Sequence, residues 1–199
     1  FICLNFATAL HAQIPNREWS TYHGGSNEDS FRDMAIDAAG NVYVVGSTRS
    51  TNAIITPPSS QSMIAGGSDA FLAKYDTNGN RIWATYFGGE ADDFGQSIDL
   101  DVNGNIFITG LTFSTNGIAT ASTHQSFNSG NGDTFIAKFS NNGAVIWGSY
   151  LGGSNFDFAN DIEIDVAGNP IIIGWTSSTT GISTGSAFQP NHGGQDDVL

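Results

Sequence analysis

Apolar and polar residues alternate in short runs along this chain, and clusters of Gly, Asn, Asp and Ser punctuate the runs. A two-residue period marks β-strands with one buried face. In the middle of the chain the alternation predicts a strand near Ser97–Asp101, a turn at "DVNGN" and a second strand over Ile106–Thr109. Asn-Gly accepts the positive φ angles that a tight hairpin needs. A long connection rich in Ser, Thr, Gly and Asn, residues 112–132, leads to a third strand, Asp133–Phe139. "NNGA" then turns it into a fourth, Val145–Tyr150.

The same unit recurs. Trp19, Trp83 and Trp147 stand 64 residues apart and open "WSTYHGG", "WATYFGG" and "WGSYLGG". "IDAAGNVYVVGST", "LDVNGNIFITGLT" and "IDVAGNPIIIGWT" begin at Ile36, Leu100 and Ile164 with the same offset. "DAFLAKYDTNGNRIW" from Asp69 matches "DTFIAKFSNNGAVIW" from Asp133, and a third copy reads "DVL" at 197–199. A fixed period without insertions signals stacked supersecondary units, each needing neighbours to cover its faces. Four short antiparallel strands per unit describe a propeller blade.

These motifs resemble the bacterial SBBP β-propeller repeat family, with D-x-x-G-N-x-Y-V-x-G-x-T at Asp37–Thr48, D-x-F-x-A-K at Asp69–Lys74 and W-x-T-Y-x-G-G at Trp19–Gly25. The resemblance implies an all-β propeller of 64-residue blades, and large extracellular proteins. Pro170, where Val42 and Ile106 stand in the other copies, should remove a ladder donor or mark a strand edge. The expected division is a signal-peptide remnant at 1–12, an orphan closing strand at 13–25, blades at 26–89 and 90–153, and an incomplete blade at 154–199. The orphan strand would be the fourth strand of a blade whose other strands lie elsewhere in a larger ring.

Composition narrows the function. Six basic residues against 19 acidic ones give a formal net charge of -13, a field that repels nucleic acid. Phe1–Leu10 is apolar, too short to span a bilayer, and followed by "HAQ", as at the end of a secretory signal. No later run suits a transmembrane helix. The single cysteine, Cys3, falls in that segment, so the expected mature chain has no disulfide.

Candidate chemistry is sparse. Asp29, Asp93 and Asp157 recur at the entry to each first strand, and three carboxylates around one mouth would suit Ca²⁺. The competing reading is that each accepts hydrogen bonds from its own turn. "DLDVNG" at 99–104 imitates the start of an EF-hand loop, but the twelfth position is Gly110, and where this copy has Asp99 and Asn103 the others have Ala35 and Ala39, or Glu163 and Ala167. Asp37, Asp101 and Asp165 therefore read as hairpin formers. Asp69, Asp133 and Asp197 read as fasteners of the third-strand turn, and Lys74 and Lys138 as partners of a repeated Asp. The repeated Trp and Tyr residues read as packing between blades.

Residues out of step with the repeat are the informative ones for catalysis: His23 opposite Phe87, His124 opposite Ser60, and His192 opposite Asn128. They have no zinc-ligand spacing, and no nucleophile elbow or phosphate loop accompanies them. The latter two read as exposed loop residues. The connections 49–68, 113–132 and 177–196 share length but diverge in sequence around Ile54/Ile118/Ile182 and Gln61/Gln125/Gln189. Anchored loops with variable tips suit recognition. The expectation is a secreted or cell-surface scaffold that binds an extracellular protein or glycan, without catalysis or cofactor. The alternative is part of an extracellular propeller hydrolase or lyase acting on glycans.

Overall fold

The computed structural model describes residues 18–199. The signal-peptide reading of 1–12 and the first part of the 13–25 segment lie outside the described residues. Blade 1 comprises β1 (Asp29–Ile36), β2 (Val42–Thr48), β3 (Asp69–Tyr75) and β4 (Arg81–Phe87). Blade 2 comprises β5 (Asp93–Leu100), β6 (Ile106–Thr112), β7 (Asp133–Phe139) and β8 (Val145–Leu151). β9 (Asp157–Ile164), β10 (Pro170–Thr176) and the two-residue β11 (Asp197–Val198) make a third, three-stranded sheet. Every sheet is an antiparallel meander in sequence order, and the described residues contain no helix. The chain is all-β and forms an open arc of propeller blades.

The hairpins close as the turn residues dictate. Asp101 Oδ1 accepts the Asn103 and Asn105 amides (both 2.9 Å), its Oδ2 accepts Asn105 Nδ2 (2.7 Å), and Gly104 takes φ +76°. A type I turn ending in a left-handed residue gives a three-residue hairpin loop. Asp37 and Asp165 repeat this arrangement, so they form hairpins as expected, and Asp76 does the same in the turn from β3 to β4, which the sequence reading did not single out. Pro170 stands at the first position of β10, where no interior ladder donor is lost.

β6 runs to Thr112, three residues past the expected Thr109, and the start of β5 differs as well. β5 begins at Asp93, four residues earlier than the pattern suggests, because Gly95 and Gln96 carry a bulge between the Gly95↔Gly110 and Ser97↔Thr109 pairs. The same irregularity falls at Phe31/Asp33 in β1 and opposite Ile173/Gly174 in β9. A bulge bends its strand and re-aims the side chains beyond it. Beside it the strands run so close that a Cβ on Gly110 would lie 1.9 Å from the Phe94 carbonyl oxygen, which explains the glycine repeated in every second strand.

Blades pack face to face. One buried cluster joins Tyr43, Val45, Leu72, Trp83 and Phe87 of blade 1 to Ile98, Ile108, Phe135 and Phe139 of blade 2. A smaller one joins Phe107 and Ile136 to Ile162, with Trp147 and Ile172 against it. The indole Nε1 of Trp83 donates to the Asn141 carbonyl across the junction (3.1 Å), so this Trp packs between blades as expected. The two lysines select their acids: Lys138 Nζ lies 3.2 Å from Asp101 and Lys74 Nζ 3.9 Å from Asp37, each also over an aromatic ring. The outermost faces stay open, with Phe31, Met34, Ile171 and Ile173 exposed.

Candidate functional site

The first strands lie against one another, β1 beside β5 beside β9. The long connections 49–68, 113–132 and 177–196 leave the ends of β2, β6 and β10. They share that end of the arc with the Gly-Gly turns that enter β1, β5 and β9. The Asp-Asn hairpins occupy the opposite end.

At the loop end every repeated acid is engaged locally. Asp29 Oδ2 accepts the Gly25 amide (2.8 Å) and the Ser50 hydroxyl (3.0 Å), while its Oδ1 accepts Thr48 Oγ1. Asp93 accepts Gly89 N (2.7 Å) and Ser114 Oγ (2.8 Å). Asp157 accepts Gly153 N and Ser178 Oγ (both 2.7 Å) as well as Thr176 Oγ1. The three candidate ligands thus sit in separate blades, each clasping its own loop. Among the described residues no group of three or more His, Cys, Asp or Glu side chains converges as a metal site.

A second clasp works from the third strand. Asp69 accepts the Ala65 and Gly66 amides and Gln61 Nε2 (2.9, 3.1 and 2.6 Å). Gln61 Oε1 in turn accepts the Gly88 amide at the end of β4 (3.0 Å), and Gln125 repeats this with Gly152 (3.1 Å). Asp69 and Asp93 approach each other across the blade junction: a Cβ on Gly88 would lie 2.7 Å from both the Asp69 carboxyl carbon and Asp93 Oδ2. Burial pushes the Asp93 carboxyl up to about 6, against hydrogen bonds from Thr112, Gly89 and Ser114, and the Asp69 charge adds to the rise.

What the clasps leave free is the loop tips. Ile54 and Ile118 are buried under their loops, whereas Met63, its counterpart Phe127, and Phe188 are exposed. Ser60 crosses to the next blade, donating to the Gly143 carbonyl (2.7 Å) and accepting the Val145 amide (3.0 Å). Its counterparts are His124, which is exposed, and Phe188.

The other out-of-step histidines do not meet. His192 is half-buried, not an exposed loop residue, because it folds back over its own loop: its Nε2 lies 4.0 Å from Asp197 and its Nδ1 accepts the Gly194 amide (3.2 Å). His23 is buried with Nδ1 2.6 Å from the Tyr75 hydroxyl, its ring stacked 4.8 Å from Phe71. Burial, then the nearby Arg81 charge, lowers its pKa to about 4, so it is neutral at pH 7.

Sequence reasoning missed a contact line along the first strands. Ser97 Oγ lies 2.6 Å from Asp33 Oδ2 and 2.7 Å from Asp161 Oδ1, so equivalent positions of three blades meet at one hydroxyl. Asp33 also accepts the Ile98 amide (3.0 Å), and Asp99 the Ile164 amide (2.7 Å). The 64-residue spacing of 33, 97 and 161 was the available signal.

Residues 18–52 and 82–118 match the family model described as SBBP, beta-propeller repeat. The repeat unit is SBBP-like. Among curated proteins, an uncharacterized WD repeat-containing protein of Acanthamoeba polyphaga mimivirus is 29% identical over 133 residues, covering 55% of this chain and 10% of that protein. The chain thus spans about a tenth of the relative's length. The family model and the WD-repeat relative both describe a repeat protein. No helix among the described residues is long and apolar enough to cross a membrane.

Proposed function

We propose that this chain is a non-catalytic propeller scaffold outside the cell, whose long-loop face binds a protein partner. The observation that carries the reading is the division of labour in the loops. Asp and Gln clasps fix each base in the same way, while Met63, Phe127 and Phe188 project from tips that differ between blades. Rigidly based loops limit the ordering entropy lost on binding, and exposed aromatic tips are suited to anchoring a partner. Each acid at this end accepts backbone amides or hydroxyls from its own loop, which favours architecture over acid–base chemistry, although one oxygen each of Asp93 and Asp133 is buried without a partner. The apolar run Phe1–Leu10 followed by "HAQ", read as the end of a secretory signal, supports an extracellular setting.

The test places a photo-crosslinking residue at Phe127 or Phe188, and as controls at Val102 or Val166 on the hairpin end. Tip-specific capture of one extracellular protein, lost in a Met63→Ser/Phe127→Ser/Phe188→Ser variant with unchanged denaturation midpoint, is expected. Capture through the hairpin end, or glycan cleavage by the purified chain, overturns the reading.

A further inference from the structure

We propose that Lys74 and Asn141 form an isopeptide cross-link between blades 1 and 2, in which the lysine Nζ replaces the side-chain amide nitrogen and ammonia leaves. Lys74, Asn141, Asp37 and Tyr43 converge at this junction. Lys74 Nζ donates to Asn141 Oδ1 at 2.6 Å, which places the amine against the side-chain carbonyl it would attack. Asp37 Oδ2 lies 3.9 Å from the same nitrogen, and the Tyr43 hydroxyl lies 3.2 Å from Asp37 Oδ2 and 3.5 Å from Asn141 Oδ1. Nucleophile, base and a donor for the developing oxyanion thus surround one carbonyl.

The nucleophile is sheltered and firmly held. The Lys74 side chain is only 9% exposed and lies over the ring of the buried Tyr43 (4.8 Å). Burial pulls the Lys74 ammonium below its ordinary value, against the Asp37 charge, and so raises the share of free amine. Burial and then the Asp37 charge push Tyr43 up, so its hydroxyl keeps the proton it donates. Asn141 is fixed from the other side: its backbone carbonyl accepts Trp83 Nε1 (3.1 Å). Ser60 pins the same hairpin, donating to the Gly143 carbonyl (2.7 Å) and accepting the Val145 amide (3.0 Å). Reactants already held together by the fold need no encounter.

The step balances without a co-reactant. Asp37 takes a proton from the Lys74 ammonium, and the freed amine attacks Asn141 Cγ while Tyr43 donates to the carbonyl oxygen. Asp37 passes its proton to Nδ2, the Cγ–Nδ2 bond breaks, and ammonia leaves as the carbonyl re-forms. Asp37 then removes a second proton from Nζ and hands it to the ammonia. The products are one new amide and one ammonium ion.

The repeat does not require this grouping. The acid and the lysine recur as Asp101 and Lys138, 3.2 Å apart, but Phe107 stands at the position of Tyr43 and Thr77 at that of Asn141. The hydroxyl and the amide are therefore additions to a recurring ion pair. They lie at the hairpin end, apart from the loop tips, so failure of the cross-link leaves the partner-binding proposal standing.

Intact mass spectrometry and tryptic mapping of the folded 199-residue chain test this. The mass is expected to fall one ammonia below that of the sequence. Trypsin does not cut after an acylated lysine, so the digest should contain residues 50–81 joined to residues 139–199. A succinimide at an Asn-Gly turn loses the same ammonia without joining two peptides, so the branched peptide decides. Lys74→Arg should abolish it, as should Asn141→Thr, which copies Thr77, while Lys138→Arg should leave it in place. In a time course after cell-free synthesis, Tyr43→Phe, which copies Phe107, should slow its formation ~10-fold or more. Circular dichroism checks the folding of each variant. The proposal is overturned by a folded wild type that yields no branched peptide after prolonged incubation, by a branched peptide that survives Lys74→Arg or Asn141→Thr, or by formation at the wild-type rate in Tyr43→Phe.

Discussion

β6 and β10 occupy the same position in successive repeats, pair in the same register and carry similar sequences, "IFITGLT" and "PIIIGWT". Yet every residue of β6 is buried, while β10 exposes Ile171 and Ile173 at about half their surface. Local sequence therefore sets the strand, and the neighbouring blade sets its burial. A residue's contribution to stability in this fold depends on which blade contains it, because each sheet makes only one face's worth of core until the next sheet arrives.

Phe107 and Ile171 are the sharpest test of that difference. Phe107→Ala should cost about 3–5 kcal/mol by urea denaturation, as for other buried aromatic truncations. Ile171→Ala, at the equivalent exposed site, should stay within about 0.5 kcal/mol. Equal losses would mean that blade 3 is covered in solution. Gly110→Ala and Gly174→Ala should behave alike, each losing roughly 1–3 kcal/mol or more, because the added Cβ meets a first-strand carbonyl of its own blade in both cases. A tolerant Gly174 would show that β9 and β10 are loosely paired.

The hairpins should show a smaller contrast. Asp101→Ala removes three turn hydrogen bonds and the Lys138 partner, for roughly 1–3 kcal/mol. Asp165→Ala breaks the same turn without a lysine partner to lose, and its midpoint should fall less. Hydrogen bonds from Asn169 hold the Asp165 carboxyl below its ordinary value, so that turn's contribution is present at neutral pH and fades as acid protonates it.

The smallest effect distinguishes His23 from Phe87. Because the folded His23 pKa is near 4, below the ordinary 6.5, the folded state binds fewer protons than the released segment between those values. Its docking is thus complete above about pH 6.5 and weakens as pH falls towards 4. Trp19 fluorescence should report the release in that window, and His23→Phe, which copies Phe87, should abolish it. A pH-independent wild-type signal would contradict the placement of His23 against Phe71.

Much of the fold was legible because its cues are short-range. The 64-residue offset, the Asp-x-x-Gly-Asn turns and the alternation are each visible in short stretches of chain, and the hairpins track them closely. The start of β5 was not, since the bulge at Gln96 interrupts the alternation that would have revealed Asp93–Gly95 as strand. The roles of Gln61 and Gln125 were half visible: their recurrence marked them as anchors, but the Gly88 and Gly152 amides they receive lie 27 residues further along the chain. Residues 18–25 were expected in a closing strand over 13–25 but form none, because a strand needs a paired neighbour and none stands beside them among the described residues. The Asp33–Ser97–Asp161 line left only its 64-residue spacing as a signal, as the curvature of the arc is what brings residues two repeats apart within reach of one hydroxyl.

That hydroxyl has a single proton and two carboxylate suitors. When Ser97 points its O–H at Asp33 it turns a lone pair towards Asp161, and rotation about one side-chain bond reverses the choice. Tightening one seam of the arc therefore slackens the next. Two blades that share no sheet are tied into one conversation, conducted by a rotor a single bond long.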